Sequence, residues 1–276
     1  MNKKRYILVT GASSGIGYHS LFALRDSGFS VIASVRKTED VKRLEKEGFA
    51  SVRIDLDDSD SITEGVEEVK QICGGRLYGL FNNGAFGQPG AVEDLSREVL
   101  RAQFETNLFG THELTVKLLP MMIEAGEGRI VQNSSVLGFA ALRYRGAYNA
   151  SKFALEGLSD TLRLELEGTG VYVSIIEPGP IRSSFRKNAL KKFLENIDYK
   201  NSRLKDRYED KLKQLESSED APFTLGPEAV AKALLHALES PKPKIRYRVT
   251  FPTHLFFWLK KLLSDSLMDR ILKRVE

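Results

Sequence analysis

Apolar and polar positions alternate along the chain with two different periods. Seven short runs rich in Val, Ile, Leu and Phe end at turn-forming residues, which is typical of buried strands. These predicted strands cover residues 5–10, 30–35, 51–54, 77–81, 129–134, 171–176 and 244–249. The amphipathic stretches between them predict helices that begin near Gly15, Thr38, Ser59, Arg97, Ala147 and Pro227. Strands that alternate with helices indicate an α/β fold with a doubly wound parallel sheet, and we predict a single domain over residues 1–276.

The first predicted strand runs directly into a glycine-rich turn and then into a helix. The turn is Gly11-Ala12-Ser13-Ser14-Gly15-Ile16-Gly17. Gly11 permits a tight turn, Gly15 lets the backbone approach a pyrophosphate, and Gly17 lets the helix pack closely on the strand. The free N–H groups at the start of the helix attract phosphate oxygens. Strand, turn and helix together predict a dinucleotide site; the alternative is an ordinary glycine-rich turn.

The segment Tyr148-Asn149-Ala150-Ser151-Lys152 carries the candidate chemistry. Four residues make about one helical turn, so Tyr148 and Lys152 share one helix face. A free tyrosine has a pKa of about 10, and a neighbouring lysine cation lowers it. We therefore expect a general acid/base poised near neutral pH, as proton transfer to a carbonyl oxygen requires. Taken alone, this spacing is more often just a solvated helix face.

Tyr148, Lys152 and the glycine turn occur with further motifs in a fixed order, and this order resembles the short-chain dehydrogenase/reductase family, compact type. The resemblance runs from residue 5 to about residue 250, and Ser135 precedes Tyr148 by 13 positions, as in the family. One departure is Gly84-Ala85, which reverses the family's Ala-Gly and predicts strain if residue 85 has a positive φ. The other matching segments are Asn82-Asn83, Asn107-Leu108-Phe109-Gly110, Gly128-Arg129-Ile130-Val131 and Pro178-Gly179-Pro180-Ile181.

The resemblance implies a Rossmann-type sheet and hydride transfer between a nicotinamide cofactor and a carbonyl/alcohol pair. In this scheme Tyr148 is the proton donor in reduction, Lys152 lowers its pKa and holds the nicotinamide ribose, and Ser135 hydrogen-bonds the substrate oxygen. Asn107 holds a water molecule that links Lys152 to solvent. The implied catalytic residues are Asn107, Ser135, Tyr148 and Lys152. The implied cofactor contacts are Gly11, Ser13, Ser14, Gly15, Ile16, Gly17, Asp55, Asn82, Gly84, Tyr148, Lys152, Pro178, Gly179, Ile181 and Ser183.

Arg36 and Lys37, directly after the second predicted strand, indicate which cofactor is used. NAD enzymes of the dinucleotide fold place an acid near this point, whereas NADP enzymes place an arginine near the added phosphate. In the resembled family the acid aligns with Val35. The planar guanidinium of an arginine suits a phosphate. We therefore expect NADP(H), with Arg36 and Lys37 as further contacts; the alternative is that both are merely exposed.

Two segments depart from the strand–helix alternation. Residues 182–225 are long, charged and poor in apolar periodicity, which is typical of a lid or of a disordered insertion. In the resembled family this interval covers the substrate, with Phe185, Leu190 and Phe193 as its candidate apolar underside. Residues 251–276 mix aromatic and leucine side chains with lysines, in an apolar run too short to span a bilayer. We expect them to pack on the lid or on a second subunit and to line an apolar pocket; peripheral membrane contact is the alternative.

Composition excludes several other classes. The net charge of +4 rests on an excess of basic residues in the C-terminal third, without any motif for nucleic-acid recognition, so we expect a solvated surface. The single cysteine, Cys73, excludes an intrachain disulfide and favours a reducing compartment. The basic N-terminus runs straight into a strand and leaves no room for a signal peptide, so we predict a cytoplasmic location. The four histidines lack ligand spacing, so no metal site is expected.

We therefore predict an NADP(H)-dependent oxidoreductase acting on a lipophilic aldehyde, retinoid or steroid-like ketone. Within the family the chain is similar to bacterial NADP-dependent aldehyde reductases and to retinol and 17β-hydroxysteroid dehydrogenases. We expect a small-molecule partner and a homo-oligomer, either dimer or tetramer. The alternative from another class is a non-catalytic NADP(H)-binding sensor or scaffold; such proteins keep the glycine turn but lose the tyrosine. Sugar-nucleotide epimerases tend to be longer and to space their glycines differently.

Overall fold

Seven parallel strands form one sheet in the computed structural model of this chain, which describes residues 4–216 and 221–275. Neighbouring strands are all parallel, in the order β3-β2-β1-β4-β5-β6-β7. The strands are β1 (Tyr6–Val9), β2 (Ser30–Val35), β3 (Ala50–Arg53), β4 (Leu77–Asn82), β5 (Gly128–Asn133), β6 (Val171–Glu177) and β7 (Arg246–Arg248). The predicted α/β fold with a doubly wound parallel sheet is confirmed.

Helices cover both faces of this sheet because each buries an apolar stripe against the strands. On one face α1, α2 and α9 contribute Leu21, Leu44 and Leu234, all fully buried. On the other face α3 and α5 contribute Ile62 and Leu118. The helices are α1 (Gly15–Asp26), α2 (Thr38–Lys46), α3 (Ser59–Cys73), α4 (Arg97–Phe104), α5 (Thr111–Ala125), α6 (Gly146–Glu165), α7 (Phe185–Asn196), α8 (Lys205–Glu216), α9 (Glu228–Glu239), α10 (Phe251–Leu262) and α11 (Asp265–Leu272).

The strand order reverses between β1 and β4, and this reversal positions the site. From β1 the chain winds outward to β3, then crosses back so that β4 lies on the other side of β1. In open α/β sheets a ligand binds in the crevice at the carboxyl ends of the strands where the order reverses. The glycine turn follows β1 and Asn83 follows β4, so both lie at this crevice.

The helix predicted to begin at Arg97 is interrupted by a π-helical turn at Glu105–Gly110, between α4 and α5. The loop after β3 passes so close to this turn that a Cβ on Gly110 would lie 1.8 Å from the Leu56 carbonyl oxygen. Asn107 lies within the turn and is 1% exposed. Such turns are frequent at functional sites because they change the direction of a side chain.

The interval 182–225, where apolar periodicity is weak, contains two helices, α7 and α8. Their inner sides meet around the buried residues Phe193, Ile197 and Tyr208, which pack on Ala91. This packing argues against the disordered alternative for the described part of the interval; residues 217–220 lie outside the described residues. Among the residues that the structure describes, no helix is long and apolar enough to cross a membrane.

Candidate active site

The glycine turn has the geometry that a phosphate-binding loop needs. Gly11 and Gly15 have φ angles of 62° and 57°, which favour glycine. A Cβ on Gly17 would lie 2.4 Å from the Gly11 carbonyl oxygen, so the first turn of α1 and the loop approach too closely for any other residue. The Ser14 side chain makes no capping hydrogen bond at the start of α1. The N-terminal N–H groups of this helix therefore suit phosphate oxygens, and the turn fits a dinucleotide.

A chain of polar side chains connects this turn to the candidate catalytic residues. Lys152 Nζ donates to the Asn133 carbonyl oxygen at 2.6 Å, and Asn133 Nδ2 donates to Asn83 Oδ1 at 2.9 Å. Asn83 Nδ2 in turn donates to the Thr10 carbonyl oxygen at 2.9 Å. Each member lies at the carboxyl end of a strand or faces it from α6. The lysine is thereby fixed relative to the loop rather than free to rotate.

Tyr148 and Lys152 lie on the first turns of α6, one turn apart, as their spacing predicts. The Tyr148 hydroxyl is hydrogen-bonded to Ser135, and Lys152 Nζ lies 5.7 Å from the centre of the tyrosine ring. Ser135 also accepts a hydrogen bond from the Leu137 N–H at 3.1 Å, which orients its hydroxyl. Three of the predicted catalytic side chains therefore come together at one point of the crevice.

The fourth predicted catalytic residue, Asn107, is held by the backbone of Phe86. Its Oδ1 accepts from the Phe86 N–H at 3.1 Å, and its Nδ2 donates to the Phe86 carbonyl oxygen at 3.0 Å. Nδ2 also lies 3.2 Å from Ser151 Oγ, next to Lys152 in sequence. Asn107 thus faces the lysine side of α6, and its predicted role in holding a water molecule stays a prediction.

Burial acts against the expectation of a phenol poised near neutral pH. Burial raises the pKa of Tyr148 to about 12, although Ser135 and Arg145 act in the opposite direction. Burial also lowers the pKa of Lys152 to about 8, and Glu156 opposes that change. The ring of Phe185, from the start of α7, contributes to this burial, with its centre 5.4 Å from that of the Tyr148 ring. Tyr148 therefore stays protonated at neutral pH.

A family model described as short chain dehydrogenase matches residues 5–193. The chain belongs to the short-chain dehydrogenase/reductase family. It is 45% identical over 271 residues to an Escherichia coli (strain K12) protein described as uncharacterized oxidoreductase YbbO, with 98% of this chain and 94% of that protein covered. It is 32% identical over 274 residues to 17-beta-hydroxysteroid dehydrogenase type 1 of Homo sapiens, with 94% and 81% covered.

The solved structures include a further relative, the closed form of serine dehydrogenase complexed with NADP+. The two folds agree with a TM-score of 0.76 at 25% sequence identity, over 90% of this chain and 95% of that one. As a short-chain dehydrogenase/reductase, this chain is an oxidoreductase that acts on a CH–OH/C=O pair with a nicotinamide cofactor. The predicted family, fold and enzyme class are confirmed.

In this family member the loop after β6 closes the crevice from the other side. Pro178 accepts a hydrogen bond from the Val136 N–H at 2.8 Å, which ties the loop to the turn after Ser135. Ile181 forms a bridge with Leu225. A Cβ on Gly15 would lie 3.0 Å from the Ser183 Cβ, so Ser183 faces the glycine turn. Gly179 lies against the Thr250 side chain, at the start of α10.

The residues predicted to contact the adenine end of the cofactor follow β2 and β3, on the side of the sheet away from α6. Arg36 and Lys37 are exposed after β2, and Val35 is 2% exposed, so the position of the family acid holds a buried apolar side chain. Asp55 is half-buried after β3, and its Oδ1 accepts from the Asp57 N–H at 3.3 Å. Arg43, which sequence reasoning missed, donates to the Ser13 carbonyl oxygen at 2.8 Å and ties the glycine turn to α2.

The two asparagines of the Asn82-Asn83 motif direct their side chains differently at the end of β4. Asn82 is 5% exposed, and its side chain donates to Thr115 Oγ1 at 2.8 Å, on the α5 side of the sheet. Asn83, not Asn82, directs its side chain to the glycine turn. The reversed Gly84-Ala85 order carries no strain, because Ala85 is not among the positive-φ residues of the described chain. The N–H of Gly84 donates to Thr10 Oγ1 at 2.8 Å, next to the glycine turn.

A group of paired charges on α6, β6 and β7, of which Glu156 and Glu177 are buried, gave no signal in the sequence. Arg246 of β7 pairs with Glu156 Oε2 at 2.9 Å and Asp160 Oδ2 at 2.7 Å on α6, and with Glu177 Oε1 at 3.2 Å on β6. Arg248 pairs with Glu177 Oε2 at 3.1 Å. Burial, together with repulsion from Glu156, raises the pKa of Glu177 to about 7. These five residues come from three elements that are distant in sequence, and only the pairing of β6 with β7 and the packing of α6 bring them together.

Proposed function

We propose that this chain is an NADP(H)-dependent reductase of lipophilic carbonyl compounds, such as an aldehyde, a retinoid or a steroid-like ketone. The observation that carries the proposal is the Tyr148 hydroxyl hydrogen-bonded to Ser135 in an apolar setting, within reach of a glycine turn that fits a dinucleotide. The Tyr148 hydroxyl can donate its proton to a carbonyl oxygen in reduction and take a proton back in oxidation.

The division of roles follows from the geometry of the chain's own residues. The Ser135 hydroxyl hydrogen-bonds the carbonyl oxygen and stabilises the negative charge that develops there. Tyr148 donates its proton to the same oxygen, and the cation of Lys152 stabilises the phenolate that remains. Phe185 excludes water from the ring of Tyr148. When bound, the nicotinamide supplies the hydride.

Two observations support NADP(H) over NAD(H). Arg36 is exposed beside the buried Val35, in the region where an NAD enzyme carries a carboxylate. The related serine dehydrogenase was solved with NADP+. A lipophilic substrate fits the aromatic cover of Tyr148 by Phe185, and the similarity to a 17-beta-hydroxysteroid dehydrogenase points the same way. Predicted cofactor contacts at Gly11, Ser13, Ser14, Gly15, Ile16, Gly17, Arg36, Lys37, Asp55, Asn82, Gly84, Tyr148, Lys152, Pro178, Gly179, Ile181 and Ser183 form part of this proposal, and Asn83 is added to them.

The catalytic assignment is tested by Tyr148→Phe, which keeps the ring and removes the transferable proton. NADPH oxidation is followed with aldehydes, ketosteroids and retinal. We expect kcat to fall at least about 100-fold, the low end for general acid–base catalysis. NADPH affinity, measured by titration, should stay nearly unchanged. Turnover by the variant at the wild-type rate would refute the role, and turnover of none of these substrates by the wild type would favour the sensor or scaffold alternative.

The cofactor assignment is tested by Arg36→Ala. We expect the variant to lose about 1.5–3 kcal/mol of NADPH binding, the range for a hydrogen bond to a charged group. NADH binding should change little, because NADH lacks the added phosphate. Arg76→Ala, which removes an exposed arginine ahead of β4 at the opposite end of the strands, serves as the control. Equal losses for the two cofactors would show that Arg36 does not contact the phosphate.

A cytoplasmic location and assembly as a dimer or tetramer also belong to this proposal. Light scattering on the purified protein measures the assembly directly. A monomer across the micromolar range would contradict it.

A further inference from the structure

One face of α10 presents a row of large apolar side chains to solvent. Phe251, Leu255, Trp258 and Leu262 follow one another at intervals of four, three and four residues, which places them on one side of a helix. Their exposed fractions are 58%, 41%, 57% and 75%. We call these four residues the α10 stripe. Single exposed apolar residues are ordinary, but a continuous row marks a binding surface.

The opposite side of α10 is anchored, so the stripe faces outward as part of the fold. Thr253 is fully buried, and Phe256 is 8% exposed against Ala140 and Met268. Phe257 stacks under the Arg248 guanidinium at 3.4 Å. Because these contacts fix the helix on both of its inner edges, the stripe cannot turn inward without breaking them.

The start of the stripe lies beside the loop after β6, which borders the crevice. Its first residue, Phe251, contacts the exposed ring of Phe223, with ring centres 5.0 Å apart, at the end of the interval that carries α7 and α8. The residue before α10, Thr250, contacts Gly179 in the loop after β6. A molecule that leaves an apolar phase at the stripe would therefore arrive next to the crevice.

Most of the exposed charged side chains on α11 and on the free side of α10 are basic. Lys261 is exposed at the end of α10, whereas Lys260 lies on the anchored side and donates to the Phe139 carbonyl oxygen. The exposed residues of α11 and its end include Arg270, Lys273 and Arg274. Two acidic residues, Asp265 and Asp269, are also exposed there. Aromatic and leucine side chains flanked by lysine and arginine are the pattern of a helix that lies in the plane of a membrane surface.

We propose that the α10 stripe docks the protein on an anionic lipid surface. The helix has 12 residues, about 18 Å at the usual rise, so it lies on the surface rather than crossing it. Lipid headgroups of negative charge complement the basic border, whereas a second copy paired by two-fold symmetry would bring two basic borders together. The docking rests on the stripe and its border alone, independently of the reaction assigned to the site.

Trp258 makes the test direct, because it is the single tryptophan of the chain. Its fluorescence is recorded as vesicles of phosphatidylcholine, alone or with phosphatidylglycerol, are added to the full-length protein. We expect a blue shift and flotation with the mixed vesicles, with binding at least about 10-fold stronger than to phosphatidylcholine alone. Raising the salt concentration should weaken the binding, since a surface potential is screened.

Variants locate the contact. Leu255→Glu and Leu262→Glu should each weaken vesicle binding at least about 10-fold, because burial of a leucine is replaced by burial of a charge. Leu164→Glu, at an exposed position (64%) near the end of α6, should bind like the wild type. Circular dichroism and NADPH turnover without vesicles should be unchanged in all three. All three substituted leucines are exposed, so we expect the variants to fold.

Three results would overturn the proposal. One is the absence of binding to mixed vesicles. Another is equal binding to both vesicle types. The third is a lipid-free dimer in which Trp258 emission is already blue-shifted and which Leu262→Glu dissociates; in that case a second copy covers the stripe. Loss of NADPH turnover in the Tyr148→Phe variant tests the reaction separately and leaves vesicle binding unaffected.

Discussion

At the scale of single residues, Lys152 is a cation held in a buried place. It is 2% exposed, and burial lowers its pKa to about 8. Glu156, one turn further along α6, opposes this change and is itself paired with Arg246. Burial raises the pKa of Glu156, with Ser134 and Arg246 acting against that rise. The carboxylate of Glu156 therefore favours the charged form of Lys152.

The variant Glu156→Gln tests this coupling. Without the carboxylate the pKa of Lys152 falls further, so the cation is lost at a lower pH as the pH rises. We expect the high-pH limb of kcat/KM for carbonyl reduction to move to lower pH, with a loss of roughly 3- to 10-fold at pH 8, since each unit of pKa is a factor of about ten in protonation. Asp160→Asn, which also removes a partner of Arg246, is the control and should keep the wild-type profile. Superimposable profiles for Glu156→Gln and the wild type would exclude the coupling.

At the scale of elements, the glycine turn and the start of α1 act as one unit. Gly17 lies within α1, where glycine normally destabilises a helix by about 0.5–1 kcal/mol relative to alanine. Close packing of the helix on the loop reverses that preference at this position. Gly157 in α6 has no atom within 4 Å of its would-be Cβ and follows the ordinary rule.

These two glycines make a matched pair of substitutions to alanine. Gly17→Ala forces the Gly11 carbonyl away and should lower the free energy of unfolding by about 1–3 kcal/mol, the range for overpacking. NADPH affinity should fall at least about 10-fold, because the loop that faces the phosphates is displaced. Gly157→Ala should stabilise the protein by about 0.5–1 kcal/mol and leave NADPH affinity unchanged. Urea unfolding and cofactor titration measure both effects; an NADPH affinity that survives Gly17→Ala would show that the turn does not hold the cofactor.

At the scale of the whole molecule, the C-terminal segment supports the turn that carries Ser135. Phe256 and Met268 pack against Val136, Phe139 and Ala140, directly after the serine. Lys260 donates to the Phe139 carbonyl oxygen. The expectation that this segment packs on the lid holds only through Phe223 and Phe251, whose rings are in contact. Its buried residues Phe256 and Met268 pack instead beside the catalytic turn.

Truncation of the Phe256 side chain tests this support. Phe256→Ala should lower the free energy of unfolding by about 3 kcal/mol, as for other buried Phe→Ala changes. It should also lower kcat under conditions where the variant is folded, because the Val136–Gly138 turn then positions Ser135 less well. Trp258→Ala, on the exposed face of the same helix, should change the stability by no more than about 0.5 kcal/mol. A destabilised variant with wild-type kcat would show that α10 supports the fold but not the serine.

The sequence by itself determined what depends on local periodicity. Apolar runs located the seven strands to within about two residues, because a strand buried on both faces needs an unbroken apolar run. The glycine spacing and the four-residue step from Tyr148 to Lys152 predicted the turn and the shared helix face, since both follow from backbone geometry alone.

Only the tertiary structure decided how these local pieces act on one another. Asn82 and Asn83 are adjacent in sequence, and their side chains take opposite directions at the end of β4, so the fold alone assigns the second to the glycine turn. The pKa of Tyr148 rises because residues distant in sequence, Phe185 among them, bury the ring. The charges around Arg246 converge because β7 pairs with β6. Burial and charge pairing join residues far apart in the chain, and a pattern with a period of two or 3.6 residues holds no information about such pairs.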